Sequence, residues 1–172
     1  FYTEPAAMLA EKFCKASSMS RVFFCNSGAE SNECAIKLAR KYSFDKYGAG
    51  RCKIITLKNS FHGRTMATIT ATGQDVFHQY FDPFLEGFEY ADANDTDELK
   101  KLISEGGVCA VMMELIQGEG GVLPLDKDYV KQAFSLCKDN DVLFMTDEVQ
   151  TGMGRTGTLF LYQQYGIVPD VC

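Results

Sequence analysis

The sequence has no Cys-x-x-Cys pair, although it carries 7 cysteines, at Cys14, Cys25, Cys34, Cys52, Cys109, Cys137 and Cys172. Their odd number and irregular spacing give neither a disulfide framework nor a metal-ligand pattern. Cys25 and Cys109 fall inside apolar, strand-like runs, where a free thiol behaves as a small buried hydrophobe, and the set points to a reducing cytoplasm. No apolar run approaches membrane-spanning length, and the N-terminus shows neither a basic region nor a signal-type apolar core. Runs of Lys or Arg are also missing and the net charge is -6, which speaks against nucleic acid as a partner. Neither G-x-x-x-x-G-K-[ST] nor a strand-linked G-x-G-x-x-G occurs, so the common nucleotide-binding loops are excluded. No internal repeat, low-complexity tract or interdomain linker interrupts the 172 residues.

What is present is an ordinary globular balance, 46% hydrophobic and 23% charged, enough for one good core. The chain opens on Phe1-Tyr2 without a starter methionine and stops at Pro169-Asp170-Val171-Cys172, which reads as the beginning of another strand. It is expected to be a piece of a longer protein.

Patterning predicts alternating elements. Glu4 to Ala16 reads as a helix with Pro5 in its first turn, and Arg21 to Cys25 as a short strand. A second helix begins after Ser27 and ends near Gly48, with Ala35, Leu38, Ala39 and Tyr42 as its apolar stripe. Strands are expected at Lys53 to Leu57, Gly87 to Tyr90, Val108 to Met113 and Val142 to Met145. Helices are expected at Arg64 to Ala71, Asp95 to Ser104 and Asp126 to Asp139. The run Val108 to Met113 is apolar on both faces, as in a strand covered on both sides. The fold class is therefore α/β, a three-layer sandwich around a mostly parallel sheet.

Polar clusters follow the predicted strands at Ser27, His62, Glu114 and Asp147, so they gather at the strands' carboxyl edge, where open α/β sheets bind ligands. The turn Ser27-Gly28-Ala29 offers backbone N–H groups at a helix N-terminus, suited to an anion, although Ser27 equally suits an ordinary N-cap.

Three segments stand out together: Asn26-Ser27-Gly28-Ala29-Glu30, Phe61-His62-Gly63-Arg64-Thr65 and Asp147-Glu148-Val149-Gln150-Thr151-Gly152. With Gln117-Gly118-Glu119 and Gly154-Arg155-Thr156-Gly157, they resemble the class III aminotransferases over essentially the whole chain. That family has the fold type I architecture and uses pyridoxal 5′-phosphate, and the combination looks most like its acetylornithine-converting members. The resemblance implies a partial large, cofactor-binding domain over residues 1–172, with the Schiff-base lysine beyond Cys172 and no catalytic residue inside the chain. None of the lysines present stands in the matching context.

The same resemblance carries roles onto positions. Ser27, Gly28 and Ala29 would hold the phosphate, and Asp147 would face the pyridine nitrogen. Val149 and Phe61 would cover the two ring faces, and Gln150 would bond the ring hydroxyl. Arg64 would bind a substrate carboxylate, and Glu119 would pair with a distant arginine to select between substrates. Glu114 would lie behind the site; Leu115 departs from a proline common in relatives. His62 is read as structural, with no catalytic role. No metal is expected. The implied reaction moves the terminal amino group of N-acetylornithine to 2-oxoglutarate in arginine biosynthesis, in a cytoplasmic homodimer. Ornithine, 4-aminobutyrate and succinylornithine stay open as donors, and so does a non-catalytic module of the same fold.

Overall fold

The computed structural model describes residues 2–172. Its elements in chain order are α1 (Glu4–Ser17), α2 (Gly28–Tyr47), β1 (Lys53–Leu57), α3 (Met66–Ala71), α4 (Asp75–His78), β2 (Phe88–Ala91), α5 (Thr96–Ser104), β3 (Val108–Met113), β4 (Ile116–Gln117), β5 (Leu123–Pro124), α6 (Lys127–Asp139), β6 (Leu143–Thr146) and α7 (Tyr162–Tyr165).

The main sheet has the order β2-β1-β3-β6 and is parallel throughout. Alternate side chains point to opposite faces of a strand, so the sheet builds two cores. On one face Ile54, Met112 and Met145 pack with Ala35, Ile36 and Ala39 of α2 and with Ala67 and Ala71 of α3. On the other, Ile55, Leu57, Val111, Met113 and Phe144 pack with Leu99 and Ile103 of α5 and with Val130, Ala133 and Cys137 of α6. Each fully buried Ile or Leu contributes about 2 kcal/mol by leaving water, which is why β3 carries no polar side chain. The three layers and the parallel sheet agree with the fold class read from the sequence.

One irregularity interrupts the pairing of β1 with β3. Lys53 faces Val108 but Ile54 faces Ala110, so Cys109 is an extra residue at the amino end of the strand, and both Cys109 and Ala110 join the α2 side of the core.

Three expectations are corrected. Arg21 to Cys25 forms no ladder, and Val22, Phe23, Phe24 and Cys25 are exposed. β propensity measures how a side chain suits a pleated surface; a strand also needs a partner edge, and no described residue hydrogen-bonds to the backbone of this segment. The thiol of Cys25 is accordingly no core residue. The third correction concerns α2, whose buried side is Asn32, Ala35, Ile36, Ala39 and Ser43, whereas Leu38 and Tyr42 are exposed. Small residues win that face because the helix lies close on the sheet. The β4–β5 hairpin and the short helices α4 and α7 were not anticipated. At the other end, Asp170 N donates to Phe144 O (2.8 Å) and Thr146 N to Val171 O (2.9 Å), so the last residues run beside β6 as a strand beginning would.

Candidate active site

The carboxyl ends of β1, β3 and β6 converge on one cavity of about 420 Å³. It is lined by Gly28, Ala29, Asn32, Phe61, His62, Gly63, Arg64, Thr65, Glu114, Asp147, Val149 and Gln150. That volume lies within the ordinary range for small-molecule sites.

The α2 N-terminus forms one wall. Ser27 caps the helix, its Oγ accepting from Glu30 N at 3.2 Å, and the Glu30 carboxylate reaches back to Asn26 N at 2.6 Å, a near relative of the capping box. Ser27 itself does not line the cavity. The N–H groups of Gly28 and Ala29 find no acceptor among the described residues and face the positive end of a 20-residue helix. Gly28 is required by packing: a Cβ there would lie 2.7 Å from Val149 Cγ2. Val149 thus lies directly against the helix start.

Phe61 is set by Glu114, whose Oε1 accepts from Phe61 N at 2.8 Å while Oε2 accepts from Gly118 N at 3.2 Å. Glu114 therefore bridges the segment after β1 to the turn after β4. Burial pushes its carboxyl above the ordinary value, against the opposing effects of nearby His62 and the Phe61 N–H. The Phe61 ring meets Phe77 edge-on, centroids 5.2 Å apart. At Gly63, φ is +130° and a Cβ would meet Thr68 Oγ1 at 2.6 Å, so the chain can turn towards Arg64 only with glycine there. Arg64 is exposed and makes no ion pair among the described residues.

Asp147 is buried and satisfied on both oxygens. Its Oδ2 accepts from Asn32 Nδ2 at 2.7 Å and pairs with His62 Nδ1 at 2.8 Å, and its Oδ1 accepts from Val149 N at 3.0 Å. Burial alone would raise this carboxyl, but the bond and charge of His62, with the Val149 N–H and Asn32, hold it below its ordinary value. A carboxylate has about four lone-pair sites, and these three bonds leave capacity for one further donor. His62, read from the sequence as structural, is the partner of Asp147, a contact the sequence did not announce. Its side chain is fully buried and its Nε2 has no partner among the described residues. Asn32, which also holds the His62 carbonyl (2.8 Å), was missed. Only position could have flagged His62, directly after the stacking candidate and downstream of a strand.

Glu148, beside Asp147, faces away: Oε1 accepts from Tyr162 N (2.7 Å) and Oε2 from Leu161 N (2.6 Å), capping α7. Glu119 lies outside the cavity lining, with Oε2 accepting from Gln74 Nε2 at 2.5 Å. No lysine lines the cavity.

The site therefore offers free N–H donors, two apolar walls, a buried carboxylate with spare acceptor capacity and one unpaired guanidinium. The family model for Aminotransferase class-III matches residues 1–172. This chain belongs to the class III aminotransferases. It is 56% identical over 171 residues to an acetylornithine aminotransferase of Haemophilus ducreyi, covering 99% of this chain and 44% of the relative. It is 49% identical to a Pseudomonas aeruginosa succinylornithine transaminase/acetylornithine aminotransferase, covering 99% of this chain and 42% of the relative. Among solved structures, an ornithine aminotransferase from Toxoplasma gondii, with partial occupancy of PLP at its active site, superposes with TM-score 0.93 at 32% identity. That match covers 99% of this chain and 41% of the other. The chain thus spans less than half the length of these class III relatives.

Proposed function

We propose that these residues form the cofactor-holding part of a pyridoxal-phosphate-dependent aminotransferase that acts on N-acetylornithine with 2-oxoglutarate as acceptor. The observation that carries the reading is Asp147, a buried carboxylate kept ionised by His62 and Asn32 and lining one cavity with Phe61 and Val149.

The residues fit the cofactor. A flat aromatic ring between Phe61 and Val149 gains stacking and apolar contact. Asp147 supplies the charge-assisted acceptor that keeps a proton on the ring nitrogen. The N–H groups of Gly28 and Ala29 suit a phosphate at a helix N-terminus, aided by Ser27, and Gln150 suits the ring hydroxyl. When bound, pyridoxal phosphate supplies the electron sink of transamination. Arg64 binds and orients a substrate carboxylate through its planar fork. Glu114 keeps Phe61 in place and excludes water from the backbone behind it. The Schiff-base lysine is assigned to residues outside these 172, in keeping with a cavity free of lysine and with the coverage of the relatives.

The Pseudomonas aeruginosa relative, named for both donors, favours acceptance of succinylornithine as a second reading. We further assign the whole protein to arginine biosynthesis, as a cytoplasmic homodimer. The cysteines, all free among the described residues, suit a reducing compartment, and no described helix is long and apolar enough to cross a membrane. The test is glutamate formation by the full-length protein from 2-oxoglutarate with N-acetylornithine, succinylornithine, ornithine and 4-aminobutyrate in parallel. Best kcat/KM for an N-acylated ornithine supports the reading; preference for 4-aminobutyrate or free ornithine overturns it.

A further inference from the structure

The turn that carries Arg64 is held on both sides by consecutive residues of α2. Asn32 Nδ2 donates to His62 O at 2.8 Å, two residues before Arg64, and Glu33 Oε1 accepts from the hydroxyl of Thr65, directly after it. The same helix opens with the N–H groups of Gly28 and Ala29, and a Cβ on Gly63 would lie 2.9 Å from Ala29 Cβ. The turn therefore rests on the first turn of α2. Thr65 is also tied to its own helix, α3: its N donates to Thr68 Oγ1 at 3.0 Å, and the two hydroxyls lie 2.8 Å apart. Thr68 is fully buried, whereas Arg64 and Thr65 are exposed. Among the described residues, the Glu33 bond is the side-chain link from Thr65 to another element.

We propose that Glu33 is a positioning residue: through the Thr65 hydroxyl it fixes this turn on α2 and so aims Arg64 at a carboxylate lying beside the cofactor. This deepens the function proposed above and rests on the role given there to Arg64. A hydroxyl donating to an ionised carboxylate makes a charge-assisted bond, roughly twice as strong as a neutral one. Because the phosphate-facing N–H groups and Glu33 belong to one helix, α2 keeps the spacing between the two anion sites constant. Without the bond, Arg64 can still reach a carboxylate but is no longer held in the productive direction, a loss that falls on carboxylate ligands alone. The Glu33 charge by itself acts the other way, since it repels a carboxylate. Positioning and charge thus predict opposite signs.

The experiment is calorimetric titration of the full-length, cofactor-loaded protein with glutarate, which offers carboxylates, and with n-pentylamine, which has none. Glu33→Ala and Thr65→Val are each expected to weaken glutarate about five- to tenfold, with n-pentylamine changed less than about twofold and the cofactor absorbance unaltered. Glu33→Gln keeps an acceptor oxygen and Thr65→Ser keeps the hydroxyl, so both should retain nearly wild-type glutarate affinity. The double variant Glu33→Ala/Thr65→Val should lose no more than the weaker single variant, as coupling between contacting residues requires. Tighter glutarate binding by Glu33→Ala, equal losses for both ligands, or multiplied losses in the double variant would overturn the proposal. Arg64→Ala in the same titration separates the two readings. If it weakens glutarate while Glu33→Ala and Thr65→Val do not, the positioning role fails and the function proposed above stands. If it leaves glutarate unchanged, the carboxylate-binding role of Arg64 fails and the positioning role falls with it.

Discussion

His62 Nδ1 lies 2.8 Å from Asp147 Oδ2, with both side chains almost wholly withdrawn from solvent. Breaking a buried pair by removing one partner costs about 3 to 5 kcal/mol, because the remaining charge is left uncompensated. His62→Ala is therefore expected to lower the stability of the full-length protein by about 3 kcal/mol and to weaken cofactor binding. Chemical denaturation and cofactor titration check both. A variant with wild-type midpoint and affinity would show that the pair holds nothing.

The same carboxylate fixes a pH dependence. The folded pKa of Asp147 is lowered, so its contribution to stability is fully present above the ordinary aspartate range and is lost as pH falls through the folded value. Asp147→Asn should consequently flatten the acid limb of the stability profile. Denaturation midpoints for wild type and variant should converge as pH falls from 7 towards 3. Parallel profiles over that range would contradict the assignment.

Glu114 accepts two backbone N–H bonds through its two oxygens. Glu114→Gln turns one acceptor into a donor facing Phe61 N or Gly118 N, an arrangement that costs about 1 to 3 kcal/mol when buried. The expected result is lower thermal stability together with weaker ring stacking on Phe61, read as a looser cofactor. Glu114→Asp, which keeps both acceptors but shortens the reach, should lose less.

Gly28→Ala drives a Cβ to 2.7 Å from Val149 Cγ2. Alanine favours a helix over glycine by about 0.5 to 1 kcal/mol, so global stability should change little while the displaced Val149 wall costs cofactor affinity about tenfold. Val149→Ala in the same molecule removes the clash, and the double variant is expected to bind more tightly than Gly28→Ala alone. Additive losses would mean the two side chains do not compete for that space.

Arg64 is exposed with no ion pair among the described residues, so truncating it is expected to leave the fold intact. Losing a hydrogen bond to a charged group costs about 1.5 to 3 kcal/mol, so Arg64→Ala should raise KM for carboxylate substrates about tenfold to a hundredfold with the cofactor absorbance unchanged. Arg64→Lys should recover only part, since an ammonium lacks the planar fork.

Legibility followed the locality of each signal. Val108 to Met113 could be read as a doubly covered strand because its own residues state the environment on both faces, and every one of them is buried. Arg21 to Cys25 could not, because ladder formation depends on a neighbour that residue preference does not record. Leu38 and Tyr42 misled for a related reason: their apolar character describes what they could bury, not which side of α2 meets the sheet. In the site, the sequence motifs named Gly28 at the start of α2 and Phe61, Arg64 and Asp147 after the ends of strands, each signal local to its own segment. The partners of Asp147 were hidden by separation along the chain, 85 residues for His62 and 115 for Asn32. A lone histidine or asparagine carries no mark of what it will face.

The extra residue at Cys109 determines where the sheet can take up slack. Upstream of it, Gly106 and Gly107 adopt positive φ and lead into β3 from α5. Downstream, Ala110 to Met113 pair in unbroken register with β6, and Ile54 and Ile55 with Ala110 and Val111. A change in chain length before Ala110 can be absorbed at the bulge without altering the phase of the side chains that follow. The same change between Ala110 and Glu114 would turn the Glu114 carboxylate to the opposite face and release Phe61. Tolerance to insertion should therefore fall abruptly across Cys109, a boundary inside a single strand between a part that adjusts and a part that sets the distance to the chemistry.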